Sequence, residues 1–328
     1  MYLHSSRPYR GPLNFQQHHK IPPLLFHLRT LWLFTYSDIK TVIIPQTIFA
    51  AVITLSGPLL TTNPSPTALH LLQTLPQTII YLWLNLLNET ISNQRLPGSI
   101  AEDSINKPWR PLPSQYLSPE KARYILLYLL PIIFATSLFT GGTEAAVALM
   151  VFSHMYNELD GAQEHWLIRN ALNACGLSCF SIGGVIVSTG YGRFSITEDV
   201  YTWVALLAMV ITTTVQMQDL PDVEGDRARG RKTMLLIYGD RVTRWSIAVL
   251  VVFWSVVCCY YWRVGLLWFV PSVGVGAIMA WRVVMVRGLD EDEVTWKLWC
   301  LWMMVLYCLP LVKRVSGLEM WGSSLAFS

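Results

Sequence analysis

The sequence predicts an all-α, polytopic membrane protein, and three observations carry that prediction. The first is composition. Of 328 residues, 53% are hydrophobic and 14% charged, where soluble domains carry about 25% charged residues. The second is the length of the uncharged runs, since 18 or more apolar residues without charge suffice to cross a bilayer as a helix. The third is the sidedness of the cations between those runs.

The longest run, Thr41 to Asn88, contains no Asp, Glu, Lys or Arg. Gly57, Pro58, Asn63, Pro64 and Pro66 interrupt it, and such residues punctuate helices, so it reads as two spans near 41–60 and 68–92. Further uncharged runs are Tyr124–Thr143, Ala145–Asn157, Asn170–Gly192, Val200–Gln218, Trp245–Trp262, Val264–Trp281 and Leu298–Val312. That makes nine transmembrane helices, of which 145–157 is the shortest. With the N-terminus inside, one face owns the N-terminal tail and the loops near 93–123, 158–169, 219–244 and 282–297. Those segments hold 20 of the 24 Lys and Arg residues, leaving Arg193, Arg263, Lys313 and Arg314 opposite. Loop bias in Lys and Arg marks the cytosolic side. The reading is therefore a cytosolic N-terminal segment over 1–36, one transmembrane domain over 37–315 and a C-terminal tail over 316–328.

A net charge of +3 without a basic, aromatic-interleaved stripe gives no reason to expect nucleic acid. No segment marks a protein partner; the lipid bilayer is the expected surrounding. The six cysteines lie in apolar runs without metal-ligand spacing and read as packing residues. The N-terminus M-Y-L-H-S-S-R-P-Y-R-G-P resembles neither a cleavable signal nor an Arg/Ser-rich transit peptide. The acidic run Asp290–Glu293 reads as a solvated loop, and Asn88-Glu89-Thr90 as a glycosylation acceptor without meaning at the inner membrane edge.

Chemistry concentrates in two loops on the same face. Residues 216–232 read Q-M-Q-D-L-P-D-V-E-G-D-R-A-R-G-R-K, with Asp219, Asp222 and Asp226 at i, i+3 and i+7, one face of a helix. Arg227, Arg229, Arg231 and Lys232 follow at once. The loop after span two offers Glu102 and Asp103, then Lys107 and Arg110. Carboxylates followed by cations, twice and four spans apart, predict two walls of one site for a divalent metal carrying a phosphate. Oxygen-only donors favour Mg²⁺ over zinc. Polar groups at membrane depth usually face a bundle interior, which makes Tyr156, Asn157, Arg169 and Asn173 candidates to line a cavity. A cation transporter is the competing class, but its sites lie near the midplane whereas these clusters lie at one membrane face.

The run D-L-P-D-V-E-G-D-R-A-R-G-R-K-T resembles the second aspartate motif of the UbiA superfamily of intramembrane prenyltransferases, and E-D-S-I-N-K-P-W-R-P-L-P resembles the end of its first motif. Nine spans with these loops after spans two and six is that family's plan, a helical bundle around a central cavity. The stretches T-L-W-L-F-T-Y-S-D-I-K-T (Thr30–Thr41) and W-L-I-R-N-A-L-N-A (Trp166–Ala174) resemble its fungal branch, which includes membrane-bound terpene cyclases of the bergamotene-forming type. The resemblance implies Mg²⁺ held by Asp103, Asp219, Asp222 and Asp226, with Glu102 as a further ligand. It implies a prenyl diphosphate held by Asn93, Lys107, Arg110, Arg227, Arg231 and Lys232. The implied activity is ionisation and cyclisation of farnesyl or geranylgeranyl diphosphate in secondary metabolism, or alternatively prenyl transfer to an aromatic or other small acceptor, in the endoplasmic reticulum with the loops cytosolic. Two positions depart from the family pattern. Ser99 stands where the earlier aspartate of the first motif belongs, and Asp160 where a lysine follows Tyr156 by four residues.

Overall fold

The computed structural model describes residues 23–325. Most of the expected cytosolic segment, residues 1–22, and the last three residues of the expected tail lie outside the described residues. Helix α1 (Pro23–Thr35) runs through a π-turn at Ile39–Ile43 into α2 (Ile44–Ser56). There follow α3 (Ala68–Gln94), α4 (Pro97–Asn106), α5 (Pro119–Thr140), α6 (Thr143–Asn157), α7 (Gly161–Glu164), α8 (Trp166–Thr189) and α9 (Glu198–Thr214). A 3₁₀ turn over Val215–Asp219 leads to α10 (Val223–Arg229), α11 (Met234–Tyr261), α12 (Phe269–Met285), α13 (Leu289–Tyr307) and α14 (Leu309–Leu325). The helix starts follow from the sequence: Thr67, Ser118 and Thr233 each accept a hydrogen bond from a backbone N–H of the first turn, as capping hydroxyls do.

Seven helical stretches among the described residues have the length and apolarity to cross a membrane: 24–59, 119–140, 166–189, 198–219, 234–261, 266–285 and 289–317. The chain is thus an integral membrane protein by its helices, but two of the nine expected spans fall short of that standard. α6 has 15 residues, about 22 Å of helix against a hydrocarbon core of about 30 Å. α3 is long enough but polar, with Asn85, Asn88, Thr90 and Gln94 buried along it. Other boundaries also move. The expected spans near 245 and 298 begin at Met234 and Leu289, and Gly239, at φ 82°, breaks the helical geometry inside α11. The expected cytosolic segment is already helical from Pro23, with Leu24, Leu25, Leu28 and Trp32 exposed on α1. α14 runs across the expected start of the tail at 316.

The acidic run Asp290–Glu293 is a correction. It forms the first turn of α13, with Asp292 3% exposed. Arg244 of α11 donates to both Asp292 carboxylate oxygens at 2.7 Å and to the Val283 carbonyl at 3.0 Å. Counting charges in a sequence cannot separate a solvated carboxylate from one matched to a distant arginine.

Two apolar cores hold the bundle. One joins α2, α8, α9 and α11 to α13 around Trp203, Met217 and Trp302; the other joins α3, α5 and α6 around Leu82, Ile91 and Ile133. α8 lies against both. A β-carbon at Gly183 would overlap the Tyr81 ring of α3, whose hydroxyl donates to the Gly142 carbonyl at 2.9 Å. Small residues permit this approach where lipid supplies no hydrophobic drive between helices. At one end of the bundle the connections are joined by backbone contacts, with Thr62 N–H donating to the Ser195 carbonyl at 2.9 Å. At the other end lie the charged loops, cross-linked by ion pairs such as Lys40–Glu293 at 2.6 Å.

Candidate active site

The charged end is organised by α4 packing on α10, which brings the two loops face to face. Asn106, the last residue of α4, makes the junction: its amide donates to the Asp222 carbonyl at 3.0 Å and its carbonyl accepts from Gly225 N–H at 3.1 Å. A β-carbon at Gly225 would overlap that carboxamide. Gly225→Ala is therefore expected to push the two walls apart and to destabilise the protein by about 1–3 kcal/mol, the usual effect of overpacking. Thermal unfolding in detergent measures this, and an unchanged midpoint would show that the junction is looser than its geometry indicates.

Three further links tie the walls together. Lys107 Nζ donates to Asp222 Oδ2 at 2.7 Å. Arg231 lies 2.9 Å from Glu102 of the first wall and 3.3 Å from Asp226 of the second. Arg229 donates to Glu102 at 3.0 Å. On the first wall, Arg110 holds both oxygens of Asp103 at 2.9 and 3.1 Å and donates to Ser37 Oγ at 2.7 Å, with Asp38 at 3.5 Å. On the second, Arg169 of α8 donates to Asp219 at 2.6 Å.

The carboxylates respond unequally to this lattice. Burial works to raise Glu102, but Arg231 and Arg229 outweigh it and hold the carboxyl below the usual range. Burial likewise opposes ionisation of Asp222, and Lys107 more than offsets it. Asp226 goes the other way: burial, reinforced by neighbouring Asp219, pushes it up to about 7 against the pull of Arg169 and Arg231. Burial also raises Asp103, despite Arg110.

The three second-motif aspartates do not share one continuous helix face, as their spacing predicts. Asp219 ends the 3₁₀ turn, Asp222 precedes the first residue of α10, and Asp226 lies within it. The break at Leu220–Pro221 folds the segment so that each reaches a different cation. Among the described residues no three carboxylate, histidine or cysteine side chains converge as a cage by themselves. Asp219 Oδ2 and Asp226 Oδ2 are nevertheless buried without a hydrogen-bond partner. Two orphaned carboxylate oxygens suit Mg²⁺, which takes one or two carboxylates and completes its shell from water and substrate phosphate. Ser99 is buried with its hydroxyl unpartnered. Glu102, expected as a further ligand, is committed to two arginines.

Beneath the walls opens a pocket of about 200 Å³. Glu102, Lys107, Arg110, Asp222 and Arg231 line its charged end, together with Asn93, Tyr156, Arg169 and Asn173. Asn93 donates to Asn157 Oδ1 at 2.9 Å, so Asn157 supports the lining from behind; Tyr156 accepts from Arg231 at 3.4 Å. Leu86, Leu149, Phe152, Leu177, Phe180 and Trp296 line the remainder. Two expected diphosphate contacts are not brought in: Arg227 and Lys232 are exposed and outside the lining. The exposed Asp160 lies outside it too.

Some lining residues escaped the sequence reading. Asp38, just before the π-turn, and Thr41 within it line the pocket, as do Glu89 and Gln94 from α3. Asp38 lies within a stretch that resembles the fungal branch, the one signal that pointed to it; Glu89 had none beyond its place inside the expected span near 68–92.

Similarities to known proteins agree with this arrangement. The sequence model of the UbiA prenyltransferase family matches residues 46–309. The chain is 30% identical over 275 residues to somaliensene A/B synthase of Streptomyces somaliensis, covering 81% of this chain and 87% of that protein. It is 29% identical over 308 residues to the fumagillin beta-trans-bergamotene synthase of Aspergillus fumigatus, covering 90% and 96%. Among solved structures, a UbiA homologue from Archaeoglobus fulgidus bound to GPP and Mg²⁺ superposes with a TM-score of 0.56 at 11% identity, covering 86% of this chain and 99% of that one. A digeranylgeranylglyceryl phosphate synthase superposes at 0.59 with 17% identity, covering 88% and 99%. With a family match across most of its length and relatives aligned nearly end to end, this chain belongs to the UbiA prenyltransferase family.

Proposed function

We propose that the chain is a membrane-bound terpene cyclase that ionises a prenyl diphosphate, farnesyl or geranylgeranyl, and closes the resulting cation to a hydrocarbon. The observation that carries this reading is a cation-rich rim, crossed by the two aspartate walls, directly above a pocket lined by apolar and aromatic side chains. The relatives named as terpene synthases support it, as does the A. fulgidus homologue bound to GPP and Mg²⁺. The transmembrane unit is taken as 37–315, in the endoplasmic reticulum with the rim facing the cytosol.

Lys107, Arg110 and Arg231 orient the diphosphate at the rim and stabilise the charge it gains as the C–O bond breaks. Asp219 and Asp226, with Asp103 and Asp222 beside them, would hold Mg²⁺, which when bound neutralises the leaving diphosphate. Before substrate enters, the same aspartates keep these cations in place through the ion pairs described. The faces of Phe152, Phe180 and Trp296 stabilise the cation, and the apolar lining keeps water from capturing it.

Transfer to a small acceptor is the second reading. Gln94 Oε1 and Asn173 Nδ2, buried in the pocket lining without partners, favour it by offering hydrogen bonds that a hydrocarbon cannot use. Against it, Arg169 is committed to Asp219 and is not free for an acceptor carboxylate. Microsomes expressing the chain, given Mg²⁺ and either diphosphate without acceptor, decide between the two by gas chromatography with mass detection. A cyclic hydrocarbon is expected. Its absence from both substrates, with prenylated product once an acceptor is added, would overturn the cyclase in favour of transfer.

A further inference from the structure

α3 gives the pocket one face: Leu86, Glu89, Thr90, Asn93 and Gln94, at i, i+3, i+4, i+7 and i+8 of a helix. Asn93 sits toward the charged walls. Glu89 lies one turn further into the bundle, about 6 Å along the axis, with Leu86 beyond it. Ser153 and Asn157 of α6 face the Glu89 carboxylate. The other carboxylates of the lining are matched to cations: Asp38 and Arg110, Glu102 and Arg229, Asp222 and Lys107. Glu89 has no such ion pair among the described residues, and its Oε2 is buried without a hydrogen-bond partner. An isolated carboxylate at this depth is expensive, so its position calls for a positive charge that arrives only during the reaction.

We propose that Glu89 is the base that takes the final proton of the cyclisation, an inference that rests on the terpene-cyclase reading above. With the diphosphate at Lys107, Arg110 and Arg231, the prenyl chain extends past Glu89 toward Leu86 and Phe180. Ionisation breaks the C–O bond, and its electron pair leaves with the diphosphate. A distal alkene attacks the allylic cation, forming a C–C bond and moving the positive charge to a ring or chain carbon. A C–H bond beside that carbon then breaks: its electron pair becomes the new C=C, and the proton passes to Glu89 Oε2. Glu89 returns the proton to water when the hydrocarbon leaves. The carboxylate also stabilises the cation before it is quenched, which no neutral isostere at this position does.

The test uses the purified full-length protein in detergent with Mg²⁺ and farnesyl or geranylgeranyl diphosphate. Inorganic diphosphate release and organic products are followed separately for wild type, Glu89→Gln and Glu89→Asp. The expected result for Glu89→Gln is continued diphosphate release with the ratio of cyclic alkene to prenyl alcohol reduced at least about a hundredfold, the lower end of a general base's contribution. Glu89→Asp, which keeps a carboxylate, is expected to restore alkene as the main product. Unchanged products and rate in Glu89→Gln would assign the proton to the departed diphosphate and overturn the proposal. Loss of diphosphate release in both variants would also overturn it, because Glu89 would then act in ionisation or folding. A wild-type protein that forms no hydrocarbon fails at the level of the function itself, before any variant is compared, and the proposal falls with it.

Discussion

Asp226→Ala is expected to lower turnover of a prenyl diphosphate by about a hundred- to a thousandfold, the scale on which removing one group that stabilises developing charge acts, while the fold survives. Asp226 is 1% exposed, with Oδ1 on Arg231 and Oδ2 unpartnered. It belongs to the buried pair with Asp219 that suits a metal, so its loss removes one of two orphaned oxygens. The structural consequence is small because Arg231 keeps Glu102 at 2.9 Å. Asp222→Ala behaves differently. It strips Lys107 of its carboxylate partner and weakens a link between the walls, so activity and stability are expected to fall together. Diphosphate release and thermal unfolding in the same detergent separate the two variants. Asp226→Ala turnover within tenfold of wild type would remove Asp226 from the metal site.

The contrast between Arg231 and its neighbours shows where sequence reading stops. Arg227, Arg229, Arg231 and Lys232 are equivalent as a run of cations. The chain distinguishes them at Gly230, which sits at φ 75° and ends α10. There Arg231 N–H returns to the Asp226 carbonyl at 3.0 Å and Gly230 N–H to Arg227 at 3.1 Å, the paired bonds of a helix C-terminus closed by a left-handed residue. That closure turns Arg231 inward to both walls and leaves Arg227 and Lys232 in solvent. The Gly after the last helical cation was visible in the sequence; which side chains it would turn inward was not, because that depends on α4 lying opposite.

Other features were legible because they are local. Uncharged runs mark helices, and clustered carboxylates mark the walls. Asp38 reaches Arg110 from 72 positions away, a pairing no local pattern encodes. Glu89 was obscured for a different reason. No local pattern separates a polar residue of α3 that bonds a neighbouring helix from one that faces a cavity, and only the packed bundle shows that some of them line the pocket. The same polarity that keeps α3 below the apolarity of an ordinary span is what supplies the pocket with Glu89, Asn93 and Gln94.

Away from the pocket, Arg244→Met is expected to be the most destabilising of the variants considered, by about 3–5 kcal/mol, the cost of stranding one partner of a buried ion pair. Arg244 joins three helices: it donates to Asp292 of α13 twice, to the Val283 carbonyl of α12, and to Asp240 on its own helix at 2.5 Å. Removing it leaves Asp292 with no cation among the described residues. Asp292→Asn is expected to cost less, since Arg244 keeps Asp240 and Val283 and the asparagine still accepts a hydrogen bond. The double variant Arg244→Met with Asp292→Leu is expected to recover part of the loss, because a matched apolar pair leaves no buried charge uncompensated. Thermal unfolding of the three proteins gives the order. If Arg244→Met and the double variant unfold alike, the loss comes from the arginine's contacts with Val283 and Asp240. If Arg244→Met matches wild type, water reaches Asp292 and the pair holds nothing together.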